Sequence, residues 1–119
     1  MQDIWHEKHN NIDEVEVMAD DNSIFIGNKP FMNYVTGVIM QFTTQEVDEV
    51  IVKARGKFIS RAVDVAEVSA KRFLVGQIGV KDIKISSDAF QNNEGRDVRV
   101  STIDITLTKL PNASSFENR

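Results

Sequence analysis

Between residues 50 and 73 the apolar pattern changes period inside one short cationic stretch, and that change limits the folds open to the chain. Val50-Ile51-Val52 is a continuous apolar run of strand type. Phe58, Ile59, Ala62, Val63, Ala66, Ala70 and Phe73 then recur at helical spacing. The switch between them is the run Lys53-Ala-Arg-Gly-Lys-Phe-Ile-Ser-Arg61, with four cations and no anion in nine residues. The charges therefore sit at a strand-to-helix turn, where free backbone N–H groups and the helix dipole favour an anion. In outline that is a phosphate site.

The same pattern recurs upstream. Ile24-Phe25-Ile26 reads as a short buried strand, Gly27-Asn28 turns the chain, and Pro30 suits the first turn of a helix. Phe31, Tyr34, Val35, Val38, Ile39 and Phe42 follow at spacings of three and four, and Thr43-Thr44-Gln45 ends that helix. The second strand spans about 49–54 and the second helix about 58–74. Downstream, Val80, Ile83 and Ile85 mark a third strand, and Gln91-Asn-Asn-Glu-Gly95 has hairpin-turn composition. From Val98 to Thr108, Ile103, Ile105 and Leu107 alternate with polar residues as a fourth strand. Val98 and Val100 fall out of that phase, which predicts a bulge near Ser101 or a twisted hairpin leaving the sheet. The fold class is α+β: a two-layer sandwich of order β-α-β-α-β-β, with a four-stranded mixed sheet and two helices on one face.

Charge divides the chain. Residues 1–23 hold seven acids against one base, a net of −6, whereas residues 24–119 hold 13 bases against 11 acids, a net of +2. The organisation expected is an acidic, flexible arm over 1–22, a mildly basic domain over 23–110 and a loose tail over 111–119. The arm can act as a tethered competitor for the cationic turn or as a solubilising tail. No apolar stretch reaches the roughly 18 residues of a membrane span, and the N-terminus lacks the pattern of a signal peptide. The absence of cysteine excludes disulfides and thiolate chemistry. A cytoplasmic protein is the simplest expectation.

Catalytic readings find little support. His6 and His9 are spaced i, i+3 rather than the i, i+4 of a helical zinc motif, and no Ser/His/Asp set is credible with both histidines in the arm. Asp64 and Glu67 read as a solvated helix face paired with Arg61 or Lys71 rather than as an acid/base pair. No catalytic residue, metal or cofactor is expected. The cluster Lys53, Arg55, Lys57 and Arg61 has two readings on composition alone, a phosphate site or charges that keep a strand soluble. Lys29, at the start of the first helix, and Arg96 and Arg99, around the flexible hairpin tip, favour the phosphate site. Tyr34 and Phe73 read as core aromatics rather than base-stacking platforms. The second helix is apolar over an arc too wide for one thin sheet to cover, Val63, Val65 and Val68 included, which predicts a homodimer.

Four stretches together resemble the Alba family of archaeal chromatin proteins. They are Ile26-Gly-Asn-Lys-Pro-Phe-Met-Asn-Tyr-Val35, Val52-Lys-Ala-Arg-Gly-Lys-Phe-Ile-Ser-Arg-Ala-Val-Asp64, Arg72-Phe-Leu74 and Gly95-Arg-Asp-Val-Arg-Val-Ser-Thr-Ile103. The resemblance runs from about Ser23 to Lys109. It implies a non-enzymatic, chromosome-associated homodimer that coats double-stranded DNA and also binds RNA. By that resemblance, Lys29, Arg55 and Lys57 contact the backbone, Lys53 and Arg61 supply supporting charge, and Arg96 and Arg99 reach the minor groove. Phe73 matches an aromatic that joins neighbouring dimers on DNA, and Lys29 matches a lysine that can be acetylated. Asn28 stands where members commonly carry another lysine, and Glu94 and Asp97 sit among the hairpin arginines. Each of these departures lowers attraction to phosphate. The alternatives are an RNA-binding subunit of a ribonucleoprotein, or an interaction module whose basic face meets an acidic protein.

Overall fold

Strand β3 (Glu49–Arg55) is paired on both sides. Its positions Val50, Val52 and Ala54 are buried and alternate with half-buried Glu49, Ile51 and Lys53, the pattern of a strand with one covered face. On one side it pairs in parallel with β2 (Ser23–Phe25), from Ser23↔Ile51 to Phe25↔Lys53. On the other it pairs antiparallel with β5 (Asp97–Lys109), from Glu49↔Thr108 to Arg55↔Thr102. β4 (Ile78–Gln91) pairs antiparallel with β5 and forms one edge. The computed structural model describes residues 17–18 and 22–111, and Val17–Met18 is a two-residue strand, β1, paired antiparallel with β2.

Helix α1 (Phe31–Thr43) starts directly after Pro30, whose fixed φ suits a helix entrance. Its face of Tyr34, Val35, Val38 and Phe42 is buried. Helix α2 (Ile59–Val68) is entered through one 3₁₀ turn, Gly56–Phe58, and runs on into a π turn, Ser69–Phe73. Gly56 makes the turn at a φ of +55°, a conformation that costs glycine nothing and other residues strain. Both helices pack on one face of the sheet, α1 over β2 and β3, α2 over β3 and β5. Between the layers lies one core, centred on Ile24, Val35, Val38, Phe42, Val52, Val65 and Leu107. The expected α+β sandwich is the fold, and β1 adds a fifth, minimal strand to the expected four.

Two local expectations need correction and one alternative is decided. The bulge lies in β4, not near Ser101: Val80 opposes Leu107 and Asp82 opposes Thr106, so Lys81 is the extra residue. That insertion brings Val80, Ile83 and Ile85, spaced three and two apart, onto one face of the strand. Lys81 itself reaches across β5 to Glu49; the hydrogen bond and negative charge of Glu49 raise its pKa above the ordinary lysine value. β5 is unbroken through Ser101. Of the two readings offered for Val98 and Val100, the hairpin leaving the sheet holds: residues 87–91 and 97–101 pair only with one another, as a two-stranded arm beyond the helices. Finally, Phe25 is not buried with Ile24 and Ile26; it points to the outer face and is 36% exposed.

The solvated reading of Asp64 and Glu67 agrees with an exposed pair in which Glu67 binds Lys71 at 3.3 Å, one turn along. His6, His9 and nearly all of the acidic arm and tail lie outside the described residues. Leu107, on β5, is fully buried in the core. Leu107→Ala should cost about 2–5 kcal/mol in urea unfolding, whereas Met32→Ala, exposed on α1, should stay within about 0.5 kcal/mol of the wild type.

Candidate nucleic-acid interface

Parallel pairing of β2 and β3 has a direct consequence for charge. Both strands end at the same side of the sheet, so their two strand-to-helix connections, 26–30 and 55–58, lie together there. The backbone closes this junction where Ile26 N–H donates to the Lys53 carbonyl at 2.9 Å. The β4–β5 arm leaves from that side too, because Arg55 at the end of β3 opposes Thr102 and the arm begins just beyond it. Lys29, the group Lys53, Arg55 and Lys57, and the arm residues Arg96 and Arg99 are therefore collected at one end of the molecule, although they span 70 positions of sequence.

The loop that carries Lys29 is held from two sides. The Tyr34 hydroxyl, on a side chain only 2% exposed, accepts hydrogen bonds from Gly27 N–H at 2.9 Å and Lys29 N–H at 3.0 Å. A Cβ on residue 27 would come within 3.4 Å of that oxygen, so glycine lets the backbone approach it. The Arg61 guanidinium donates from the other side to the carbonyls of Gly27 (2.6 Å) and Lys29 (2.8 Å), and stacks near the Phe31 and Tyr34 rings. Arg61 therefore has a structural task beside the charge expected of it: its Nη1 donors fix the loop. Tyr34 is a core aromatic, as the sequence suggests, with a second task at its hydroxyl.

The remaining cations are exposed or half-exposed and partly countered. Lys53 lies 3.9 Å from Asp104 and Arg55 lies 3.8 Å from Asp88, both loose surface pairs worth little. Lys57 projects from the 3₁₀ turn with its ammonium 5.4 Å from the Phe58 ring centre. Arg99 donates to the Ser87 hydroxyl at 3.2 Å. At the arm's tip Asn92 accepts from the N–H groups of Glu94 and Arg96 through its Oδ1, and Gly95 takes a φ of +81°. That side-chain turn, readable in the Asn-x-x-Gly spacing, gives the tip a defined shape. Phe73, expected in the core on periodicity alone, is 49% exposed on the π turn. Asp88 and Asp104, which sequence reasoning passed over, sit directly among the cations.

The family model described as Alba matches residues 22–87. The DNA/RNA-binding protein Alba of Methanococcus maripaludis is 51% identical over 89 residues, covering 75% of this chain and 99% of that protein. The protein of the same description from Nanoarchaeum equitans is 55% identical over 87 residues, covering 72% of this chain and 96% of its own. Among solved structures, Alba from Thermoplasma volcanium matches with a TM-score of 0.66 at 42% identity, over 73% of this chain and 99% of that one.

The clamped loop makes a prediction that needs no ligand. Tyr34→Phe removes the acceptor of two backbone N–H groups and should cost about 1–3 kcal/mol in chemical unfolding. Amide exchange at Gly27 and Lys29 should accelerate in this variant, while that in β5 changes only by the global loss.

Proposed function

The chain belongs to the Alba family, and from that premise we propose a non-enzymatic, largely sequence-independent nucleic-acid-binding protein that holds double-stranded DNA by its phosphates and also takes RNA. One observation carries this reading. Three cationic segments encoded far apart arrive at one end of the sheet, two on rigid strand-to-helix connections and one on a projecting arm. Phosphate contacts from such groups position a duplex without reading its sequence. Lys29, Arg55 and Lys57 sit where they can meet the backbone, with Lys53 adding charge behind them. Arg96 and Arg99 lie on the element slender enough to enter a minor groove. The protein is proposed to act in the cytoplasm on the chromosome, with acetylation of Lys29 as a way of removing one phosphate contact. The acidic N-terminal segment, net −6 over residues 1–23, competes for the same end of the molecule.

A homodimer completes the proposal. α2 covers β3 and β5, and β4 is buried only at Ile78, so Ile83 and Ile85 (75% exposed) stand open on the helical side of the molecule, and Val63 on α2 is exposed as well. A second copy could cover this apolar surface, and two arms on one dimer could then bracket a duplex. Phe73 remains outside that surface, on the π turn, available for contacts between dimers on DNA.

Two measurements test these readings. If a dimer neutralises about six phosphates, the logarithm of duplex affinity should fall against log salt with a slope of roughly −5. Arg55→Ala with Lys57→Ala should weaken every duplex sequence alike and flatten that slope by about one for each phosphate no longer neutralised; unchanged affinity in the folded double variant contradicts the assignment. Sedimentation at micromolar concentration should give about twice 13.4 kDa, and Ile85→Asp should shift the protein toward the monomer.

A further inference from the structure

The outer face of the sheet, away from the helices, carries a feature that phosphate contact does not account for. At the root of the β4–β5 arm lies an open cleft of about 640 Å³, within the usual size range of ligand clefts. Phe25 and Phe58 supply its aromatic walls, Thr102 and Val100 belong to β5, and Lys53 and Arg55 stand at its side. Asp88 and Asp104 line it as well. The Lys53 ammonium lies 5.8 Å from the Phe25 ring centre, so cation and ring are presented together.

This composition does not suit a phosphate backbone alone. Two carboxylates beside the cations repel phosphate, yet they are good acceptors for the amino and imino groups of a nucleobase. Phe25 is an apolar ring turned to the outer face beside Lys53, Thr102 and Asp104, and a flat apolar partner would cover it. In a duplex both faces of every base are already stacked and its pairing edge is occupied. Only an unpaired base can lie on Phe25 and offer hydrogen-bond donors to a carboxylate, while its flanking phosphates reach Arg55 and Lys57.

We propose that the Phe25–Phe58 cleft seats an unpaired base of RNA, stacked on Phe25, with Asp104 or Asp88 accepting from the base edge. RNA is the source favoured because loops and bulges present such bases, and because its 2′-hydroxyl is a donor that the same carboxylates and the Thr102 hydroxyl can accept. The proposal rests on the nucleic-acid reading given above, but it adds a second mode with a different dependence: aromatic stacking rather than charge alone.

The test uses the full chain and four probes: an RNA hairpin with an unpaired loop, its stem as a blunt RNA duplex, a DNA duplex, and single-stranded DNA of the loop sequence. Phe25→Leu keeps an apolar side chain and removes the stacking face. It should weaken binding of the looped RNA by about 5- to 150-fold, the loss of one base stack, and leave both duplexes unchanged. A 2-aminopurine placed in the loop should be quenched by the wild type and not by Phe25→Leu; Phe58→Leu should lower the quenching as well. Equal affinity of wild type and Phe25→Leu for the looped RNA, or an equal loss on all four probes, overturns the cleft assignment. Equal losses for looped RNA and single-stranded DNA overturn the preference for RNA. Wild-type protein that binds no duplex but shows the Phe25-dependent loop signal overturns the duplex reading and leaves the cleft standing. Protein that binds none of the probes at low salt overturns both.

Discussion

The parallel pairing of β2 with β3 is the constraint on which the rest depends. Two strands that run side by side in one direction need a crossover between them, here α1, and α2 makes a second crossover on the same face, from β3 over β5 to β4. The register from Ser23↔Ile51 to Phe25↔Lys53 then fixes where both strands stop. It places the Gly27–Pro30 loop beside the Arg55–Phe58 turn without any direct attraction between their charges. The core supplies the energy: Ile24, Val50 and Val52 are buried under Val35, Val38 and Val65, and burial of that surface is the dominant favourable contribution. Cations are gathered because the strands that precede them are apolar and parallel.

Gathering like charges is unfavourable, and the structure reduces the penalty in two ways. Asp104 and Asp88 come from β5 and β4, which pair alongside β3, so register puts them next to Lys53 and Arg55. These pairs are long and exposed, and a competing anion can displace them at little cost. Arg61 turns its Nη1 to the carbonyls of Gly27 and Lys29, whose partial negative charge offsets part of its own. The loop is thereby fixed before any ligand arrives, and a preorganised loop loses less conformational entropy on binding.

How much of this was legible in the sequence follows from the range of each interaction. Helix α1 and strand β3 were readable within a residue or two, because three-and-four spacing and apolar runs are local signals. The order of the elements, and so the fold class, followed from them. The clamp on the Gly27–Pro30 loop was not readable: Arg61 lies 34 residues from Gly27, and nothing in its own neighbourhood marks it as structural. The phase change at Val98 and Val100 marks the arm that leaves the sheet, while the bulge lies in β4. The spacing Val80, Ile83, Ile85 does record it, as a change from three to two, but three apolar residues in a largely polar strand give that pattern little weight against the more conspicuous change in β5. Phe25 is misplaced by the sequence for a related reason. In Ile24-Phe25-Ile26 every residue is apolar, so periodicity cannot say which faces outward, and only pairing with Lys53 decides it.

The short strand β1 begins on the cationic side of the sheet. It is antiparallel to β2, with Val17 opposite Ile24 and Met18 opposite Ser23. Val17 therefore lies toward the end to which β2 runs, the side where the cations collect. Five of the acids, Asp3, Glu7, Asp13, Glu14 and Glu16, precede Val17, against the single base Lys8. A tether this short holds its charges at roughly millimolar effective concentration near their target, where weak exposed contacts gain weight. Such contacts are screened over about 10 Å at 0.1 M salt, so they oppose loose, distant phosphates more than a ligand already seated among the cations. In the competition proposed above, the acidic segment acts on encounter and discrimination rather than as a fixed block. It fits a protein whose cations are already paired loosely with its own aspartates, since both features lower non-specific attraction and leave the closest contacts to decide what stays bound.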